Sequence, residues 1–352
     1  MKIYDVIVIG GGQSGLSVGY FLRRYKLDYL ILDSEEKAGG AWQYTWDSLK
    51  LFSPVQFSSL SGWGMPEGEN EYPTKNEFIE YLKAYEKRYD FPVQRNVEVH
   101  EVLKENDVFK LKTNNGEFYT KTLVSATGTA KNSFIPKYKN DEKYLGKQIH
   151  SVTYKNEEAF RDKKVIIIGG GNSGAQILAE VSKVAKTKWV TLEEPFFLPE
   201  EIDGRYLFNE ATRKFYNQPS KELAGISSEK ISLNNIVQVE SVREAKQRDV
   251  FHAVRPFKEF YEEGVVWENG EKEKIDAVIW CTGFKANLKH LDSLGISNNH
   301  KIETEQTRAL KEPALWLVGF GSWTGFASAT IYGVGKTAKR TAAEISEFLK
   351  EA

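Results

Sequence analysis

The hydrophobic pattern of the chain contains two continuous apolar runs, each followed by closely spaced glycines. Val165 to Ile168 is a β-branched run that leads into Gly169-Gly170-Gly171-Asn172-Ser173-Gly174, and an apolar stretch with helical spacing follows. Val6 to Ile9 leads in the same way into Gly10-Gly11-Gly12-Gln13-Ser14-Gly15. A continuous apolar run is typical of a parallel strand buried on both faces, so each segment predicts a strand, a tight turn and a helix.

The glycine spacing, Gly-x-Gly-x-x-Gly, gives the two turns a common chemistry. The first glycine allows the sharp turn, the second lets a pyrophosphate approach the backbone, and the third lets the helix pack on its strand. The N-terminus of the helix then faces the anion. One such motif is weak evidence on its own. Two in one chain predict two dinucleotide sites and therefore two electron carriers.

Acidic residues follow the next strand in each half. Tyr29 to Leu32 predicts a strand that ends at Asp33, where a carboxylate accepts hydrogen bonds from a ribose 2′-hydroxyl. Trp189 to Leu192 predicts the corresponding second strand, with Glu193 and Glu194 at its tip. This tip has no Arg or Lys for a 2′-phosphate and therefore suits a bare ribose. The alternative at both positions is a solvated carboxylate that only ends a strand.

The remaining periodicity predicts a mixed α/β chain. Thr74 and Glu77 form a capping box ahead of a helix that we expect to end near Arg88. The segment from Phe196 to Phe260 is more polar, with a predicted helix over Asn209–Tyr216. A β-meander and the strand after it are predicted from alternation and turn residues. Their ranges are Val97 to Val102, Val108 to Thr113, Glu117 to Lys121 and Thr122 to Ser125, with a turn at Asn114-Asn115-Gly116.

Turns of small residues follow two predicted strands. Ala126-Thr127-Gly128 follows the strand that ends at Ser125, and Cys281-Thr282-Gly283 follows the buried run Ala277 to Trp280. Small residues let a backbone pass close to a bound group. Gly40-Ala41-Trp42 combines this freedom with an aromatic face suited to a flat ligand.

Composition narrows the classes of function. The chain has 352 residues, 41% of them hydrophobic, which is enough for two cores. Its net charge of −1 argues against nucleic-acid or membrane-surface binding, and no apolar run approaches the length of a membrane span. Met1-Lys2 leads directly into a strand, so we expect no signal peptide and a cytoplasmic location. Cys281 is the single cysteine, which excludes a two-cysteine redox pair and a thiolate-rich zinc site, and we predict no metal site.

The segment between the two glycine motifs carries a specific resemblance. Tyr144-Leu145-Gly146-Lys147-Gln148-Ile149-His150-Ser151-Val152-Thr153-Tyr154 matches the fingerprint F-x-G-x-x-x-H-x-x-x-[WY] of the flavin-containing monooxygenase family, with Tyr in place of Phe. The chain resembles that family, and in particular its short bacterial members, including those encoded with arsenic and heavy-metal resistance genes. The resemblance implies two Rossmann-like domains, with an NAD(P) domain over 155–284 inserted into an FAD domain built from 1–154 and 285–352. His150 and Tyr154 are expected to be linker contacts, without a general-base role.

The motifs and the resemblance together assign the cofactor residues. Those for FAD are Gly10, Gly12, Gln13, Ser14, Gly15, Asp33, Gly40, Ala41, Trp42, Val99, Ala126, Thr127, Gly128, Ser322, Trp323 and Thr324. Those for NAD(P) are Gly169, Gly171, Asn172, Ser173, Gly174, Glu193, Cys281, Thr282 and Gly283. Candidates beside the flavin are Phe52, Trp42 and Trp323. Phe52 stands where larger family members carry an Asn that faces the flavin, and Ser322 stands where short members often carry an acid.

The resulting hypothesis is an FAD-dependent monooxygenase that uses NADH at least as well as NADPH. It oxygenates a soft nucleophile, a thioether or an amine, through a C4a-hydroperoxyflavin. Its partners are a small-molecule substrate and dioxygen, and a homodimer is the commonest soluble assembly. The alternatives are an NAD(P)H oxidase or flavin reductase with little oxygenation, and a metal-resistance accessory flavoprotein or redox sensor. A Baeyer–Villiger enzyme is disfavoured because Tyr154 stands where that branch has Trp-Pro.

Overall fold

The computed structural model describes residues 2–206, 235–298, 300–325 and 327–351. The predicted helix Asn209–Tyr216 lies outside these residues. The α-helices are α1 Gln13–Leu22, α2 Lys75–Arg88, α3 Asn172–Val181, α4 Glu240–Gln247 and α5 Ile331–Glu351. The strands are β1 Ile3–Ile9, β2 Tyr29–Leu32, β3 Val93–Gln94, β4 Val99–Glu105, β5 Val108–Thr113, β6 Gly116–Ser125, β7 Lys147–His150, β8 Lys164–Ile168, β9 Lys186–Val190, β10 Ala253–Val254, β11 Glu259–Tyr261, β12 Gly264–Val266, β13 Lys272–Lys274, β14 Ala277–Trp280, β15 Ser297–Asn298, β16 Lys301–Ile302, β17 Thr304–Glu305, β18 Arg308–Ala309 and β19 Leu315–Leu317.

The chain divides into two compact units. The first contains Met1–Gln43, Ser53–Asn132 and Lys285–Ala352, and the second contains Tyr44–Phe52 and Ser133–Phe284. The sequence-based boundaries kept 44–52 and 133–154 with the first domain, whereas the structure groups both segments with the second unit. One reason is that β7 pairs with β14 and so forms an edge of the second unit's sheet.

The first unit is organised around a sheet with the strand order β17-β18-β19-β6-β1-β2-β3. β1 lies between β2 and β6 and pairs with both in parallel. Its core includes Ile7, Leu123 and Leu315, all with no solvent exposure. β19 and α5 bring the C-terminal residues into this unit, because β19 pairs with β6 and α5 packs against α1.

β6 differs from its prediction. The two strands expected over 117–121 and 122–125 form one continuous strand, because its two edges have different partners. Gly116 to Thr120 pair antiparallel with β5, and Tyr119 to Ser125 pair in parallel with β1. The predicted helix cap is confirmed: the Glu77 N–H donates to Thr74 Oγ1 at 3.2 Å, and the Thr74 N–H donates to Glu77 Oε2 at 2.7 Å.

The described part of the second unit contains a parallel sheet with the strand order β10-β9-β8-β14-β7. Alternate residues of β8 enter different cores: Val165 and Ile167 pack on one face, and Ile166 and Ile168 pack on the other. A strand that is buried on both faces explains why this run is apolar without interruption. The antiparallel strands β11, β12 and β13 form a smaller sheet in the same unit.

These observations confirm the predicted α/β class with parallel sheets. Within 2–206, 235–298, 300–325 and 327–351, no helix is long and apolar enough to cross a membrane.

Candidate functional site

The first glycine motif and the N-terminus of α1 form what we call the first cradle, residues 10–15. Gly10 has a φ of +107°, and a Cβ atom there would lie 2.5 Å from the carbonyl oxygen of Ala126. A Cβ atom on Gly15 would lie 1.8 Å from the carbonyl oxygen of Gly10. The protein's own packing therefore requires glycine at both positions, as the predicted roles in the turn and in helix packing demand.

Gly12 is different. A Cβ atom there would meet Gly40 Cα at 3.6 Å, which is ordinary van der Waals contact, so the described packing leaves room for a Cβ atom. α1 begins at Gly12 without a side-chain cap, which leaves its first N–H groups available to an anion. Space and uncapped donors at the same point fit a pyrophosphate, the group that the dinucleotide motif implies.

The side chain of Gln13 joins segments that are distant in sequence around this cradle. Its Oε1 accepts a hydrogen bond from Trp42 Nε1 at 2.9 Å, and its Nε2 donates to the Ala329 carbonyl at 3.0 Å. Ser14 lies against the turn at Gly319, where a Cβ atom would come within 2.1 Å of Ser14 Oγ. The predicted contributions from 40–42 and from the C-terminal segment thus meet at the start of α1.

Asp33 lies at the end of β2, as predicted, and is 5% exposed. Its carboxylate forms an ion pair with Arg95, whose guanidinium also pairs with Glu86. Burial raises the pKa of the Asp33 carboxyl, and the Arg95 charge opposes that rise. Arg95 was not among the predicted residues, because the pairing of β3 with β2 joins residues 62 positions apart.

The other predicted FAD residues belong to the same unit. At the end of β6, Thr127 Oγ1 donates to the Asn287 carbonyl at 2.6 Å, and the Asn287 N–H donates to the Gly128 carbonyl at 3.0 Å. Val99 is half-buried at the start of β4 and packs against the core of the first unit. The remaining predicted residues, Ser322, Trp323 and Thr324, form a single turn of 3₁₀-helix.

The second glycine motif and the N-terminus of α3 form the second cradle, residues 169–174, which repeats this geometry. A Cβ atom on Gly169 would lie 2.2 Å from the Cys281 carbonyl oxygen, and one on Gly174 would lie 2.0 Å from the Gly169 carbonyl oxygen. α3 also begins without a side-chain cap. The side chain of Asn172 is engaged with the protein itself, since it donates to the Asn235 carbonyl and accepts from the Val237 N–H.

The turn at Cys281 is fixed by hydrogen bonds within the second unit. The Cys281 N–H donates to the Ile168 carbonyl at 2.7 Å, and the Thr282 hydroxyl donates to the Phe134 carbonyl. Burial raises the pKa of the Cys281 thiol, which keeps it protonated and poorly nucleophilic.

The tip of β9 holds a residue that the sequence analysis did not identify. Arg255, which directly follows β10, donates from Nη2 to Glu194 Oε2 at 2.9 Å and from Nη1 to Thr191 Oγ1 at 3.0 Å. Glu193 lies exposed beside this pair, and Leu192 is 84% exposed. The described tip therefore contains a guanidinium after all, supplied by the neighbouring strand.

The monooxygenase fingerprint forms an internal scaffold in the second unit. His150 Nε2 lies 3.0 Å from the Gly283 carbonyl, and Nδ1 accepts the Val152 N–H at 3.2 Å. These contacts define a neutral ring protonated on Nε2, and burial lowers its pKa. The buried Tyr154 hydroxyl donates to Glu180 Oε2 at 2.9 Å.

Residues 44–52 form a segment that is anchored to this scaffold. Ser48 donates to the second carboxylate oxygen of Glu180, and the Asp47 N–H donates to the Lys155 carbonyl at 2.8 Å. Phe52, predicted beside the flavin, packs against Leu198, Ile202 and Val237 of the second unit.

Comparisons with known proteins agree with this arrangement. The pyridine nucleotide-disulphide oxidoreductase family model matches residues 7–319. A solved flavin-containing monooxygenase from Stenotrophomonas maltophilia is 42% identical, with a TM-score of 0.90, over 99% of this chain and 100% of that one. CzcO, an uncharacterized oxidoreductase of Bacillus subtilis, is 30% identical over 96% of this chain and 97% of its own length. A senecionine N-oxygenase of Tyria jacobaeae is 26% identical over 89% of this chain and 66% of its own length.

The extent and level of these matches support the predictions of family and cofactors. The chain belongs to the flavin-containing monooxygenase family and is an oxidoreductase that uses FAD, with NAD(P)H as its electron donor.

Proposed function

We propose that the first cradle binds FAD, that the second binds NAD(P)H, and that the enzyme oxygenates a thioether or an amine. The observation that carries this proposal is the repeated geometry of the two cradles. In each, an uncapped helix begins at the second glycine of the motif, and the first glycine abuts a turn of small residues. When bound, FAD supplies the chemistry: it accepts a hydride from the nicotinamide and activates dioxygen.

The residues of the chain bind and orient the cofactors. The N–H groups at the start of α1 and α3 would hold the two pyrophosphates, and Asp33 would accept hydrogen bonds from the FAD ribose. Gln13 fixes the Trp42 indole, which in turn packs edge-on against Phe78 with ring centroids 4.8 Å apart. We propose that Trp42 and Trp323 lie beside the flavin.

The proposed substrate is a soft nucleophile because such a group attacks activated oxygen without help from a general base. The hydrogen bonds of His150 hold it in a structural role, which supports a mechanism that needs no acid–base residue from this motif. The N-oxygenase among the relatives supports an amine as one substrate class.

The exposed acids at the tip of β9 favour NADH over NADPH. A 2′-phosphate brings about two negative charges to this tip, where Arg255 is paired with Glu194 and Glu193 adds a second carboxylate. Each unit-charge repulsion near a surface costs on the order of 1 kcal/mol. We therefore propose that NADH is used at least as well as NADPH. A homodimer remains the expected assembly, which light scattering of the purified protein would check.

A second candidate is an NAD(P)H oxidase that releases hydrogen peroxide. Phe52 favours it, because a phenyl ring cannot supply the amide contact that the larger family members make at this position. Its ring packs in an apolar cluster of the second unit.

One experiment separates these functions. FAD-loaded protein is supplied with NADH or NADPH, with and without methyl phenyl sulfide or trimethylamine, and nicotinamide oxidation, peroxide and oxygenated product are all measured. Product that accounts for most of the oxidised NADH supports the monooxygenase. Peroxide equal to the oxidised NADH, with no product, would establish the oxidase instead. Failure of both nucleotides to reduce the flavin would overturn both candidates.

A further inference from the structure

The two units place an arginine at the same point of their sheets. In the first unit β3 pairs in parallel with β2, and Arg95 is the next residue after β3. In the second unit β10 pairs in parallel with β9, and Arg255 is the next residue after β10. Each arginine thus reaches the acidic tip of the neighbouring strand, where the ribose of a bound dinucleotide would lie.

The two arginines differ in how firmly they are held. The Arg95 side chain is 17% exposed and pairs with two carboxylates, Asp33 and Glu86, which are 6% and 21% exposed. The Arg255 side chain is 51% exposed, and its carboxylate partner Glu194 is 78% exposed. Exposed ion pairs contribute little to stability and exchange readily with other ions, whereas a buried guanidinium between two carboxylates does not.

Arg255 is also oriented for a second partner. Nη1 donates to the Thr191 hydroxyl at 3.0 Å and to the Thr191 carbonyl at 3.3 Å, two contacts at the end of β9 that do not involve Glu194. Arg255 also lines an open pocket of about 370 Å³ together with Pro256, Trp267 and Asn269. Because its side chain is 51% exposed, a phosphate can approach the guanidinium from solvent.

We propose that Arg255 receives the 2′-phosphate of NADPH, and that the Glu194 carboxylate occupies this position when the nucleotide is NADH. This inference rests on the proposed assignment of the second cradle to NAD(P)H. A phosphate is a stronger bidentate partner for a guanidinium than an exposed carboxylate is. The other charged groups that line the pocket are Lys188, which pairs with Glu273 at 2.6 Å, and the acids Glu268 and Glu271. Use of NADPH would depend on Arg255, and the Glu194 carboxylate would compete with the 2′-phosphate for its guanidinium.

The test measures phosphate recognition directly, by ligand binding, and compares it with turnover. FAD-loaded protein is titrated calorimetrically with 2′-AMP and 5′-AMP, and kcat/KM is measured with NADPH and NADH. Arg255→Gln should weaken 2′-AMP binding and lower kcat/KM for NADPH by about tenfold, with the values for 5′-AMP and NADH within twofold of the unmodified protein. Glu194→Gln should strengthen 2′-AMP binding several-fold, because the competing carboxylate is gone.

A matched control is Arg161→Gln, which removes an exposed arginine of the same unit. Arg161 pairs with Glu158 at 2.6 Å and precedes β8, at the end of the sheet opposite to the tip of β9. Arg161→Gln should leave the affinities for 2′-AMP and 5′-AMP and kcat/KM with NADPH and NADH unchanged. If NADH reduces the flavin but Arg255→Gln leaves 2′-AMP binding and NADPH use unchanged, this inference is wrong while the proposed function stands. If 2′-AMP affinity falls equally in Arg255→Gln and Arg161→Gln, only the net charge matters and the assignment is also wrong.

Discussion

A Cβ atom on Gly10 would lie 2.5 Å from the carbonyl oxygen of Ala126. The same relationship holds in the second unit, where a Cβ atom on Gly169 would lie 2.2 Å from the carbonyl oxygen of Cys281. Each glycine therefore lies where the chain segments that follow two neighbouring parallel strands approach each other closely, at the carboxyl ends of those strands. These are the ends at which α/β sheets bind their ligands.

Gly10→Ala and Gly169→Ala should each destabilise the protein. Both positions have a positive φ, +107° and +132°, and both would force a Cβ atom into a backbone carbonyl. We expect a cost of about 2–5 kcal/mol for each, visible as a lower thermal midpoint of the FAD-loaded protein. Gly295→Ala is the control, because this glycine has no assigned cofactor role: its φ is +66°, but no atom lies within 4 Å of the added Cβ, so it should cost only about 1 kcal/mol. Equal midpoints in all variants would contradict the argument.

Gly12→Val and Gly171→Val should separate the two cofactors. A Cβ atom on Gly12 would make only ordinary contact with Gly40, so we expect the variant to fold. Its side chain should fill the space of the pyrophosphate and abolish FAD binding. Gly171→Val should keep FAD but lose reduction by NAD(P)H. Visible absorbance gives the FAD content, and anaerobic mixing with NADH gives the rate of flavin reduction. Equal loss of FAD in both variants would show a general folding defect and remove support for the assignment.

Tyr154→Phe should weaken the anchoring of residues 44–52. It removes one of the two hydroxyls that donate to the buried Glu180 carboxylate, and the loss of such a bond costs about 1–3 kcal/mol. The measurement is thermal unfolding at neutral pH. Tyr138→Phe is a suitable control, because its half-buried ring stacks on Phe257 with centroids 4.4 Å apart and phenylalanine preserves this contact. An unchanged midpoint in Tyr154→Phe would show that the hydroxyl contributes nothing.

Glu180→Gln should change how stability depends on pH. Burial raises the pKa of Glu180 in the folded protein, with the Ser48 and Tyr154 hydroxyls opposing part of the rise. The folded state therefore binds this proton more tightly than the unfolded chain, and Glu180 lowers stability as the pH rises from the unfolded pKa through the folded one. Relative to the unmodified protein, Glu180→Gln should gain stability over that window and keep the gain at higher pH. Parallel stability curves for the two proteins would overturn this expectation.

Local patterns predicted most of the fold, because the main elements are encoded by neighbouring residues. The capping box at Thr74, the buried runs before both glycine motifs and the turn at Asn114-Asn115-Gly116 are all found as predicted. The continuous strand β6 was predicted as two, because alternation along a chain does not show that one strand pairs with different partners on its two edges.

The contacts that the sequence did not reveal are those made between segments that are distant in sequence. Arg95 and Arg255 each follow a two-residue strand, too short for any periodicity to mark. Glu180 meets Ser48 across 132 positions of sequence. Such pairs depend on strand order and on which segments dock together, and neither is encoded by the residues next to them.

We expect that nucleotide preference can be changed at the exposed tip of β9. Leu192→Arg combined with Glu193→Thr should shift the preference toward NADPH by about tenfold, because it adds a guanidinium for the 2′-phosphate and removes one repulsive charge. Leu192 is 84% exposed, so the substitution does not disturb a core. The ratio of kcat/KM for NADPH and NADH measures the shift, and Leu192→Gln with Glu193→Thr controls for the loss of the acid alone. Because the interactions are between exposed charges, the shift should shrink as salt rises. In an Arg255→Gln background the new arginine should restore NADPH use, and a ratio that stays unchanged there would mean that the phosphate does not lie at this strand tip.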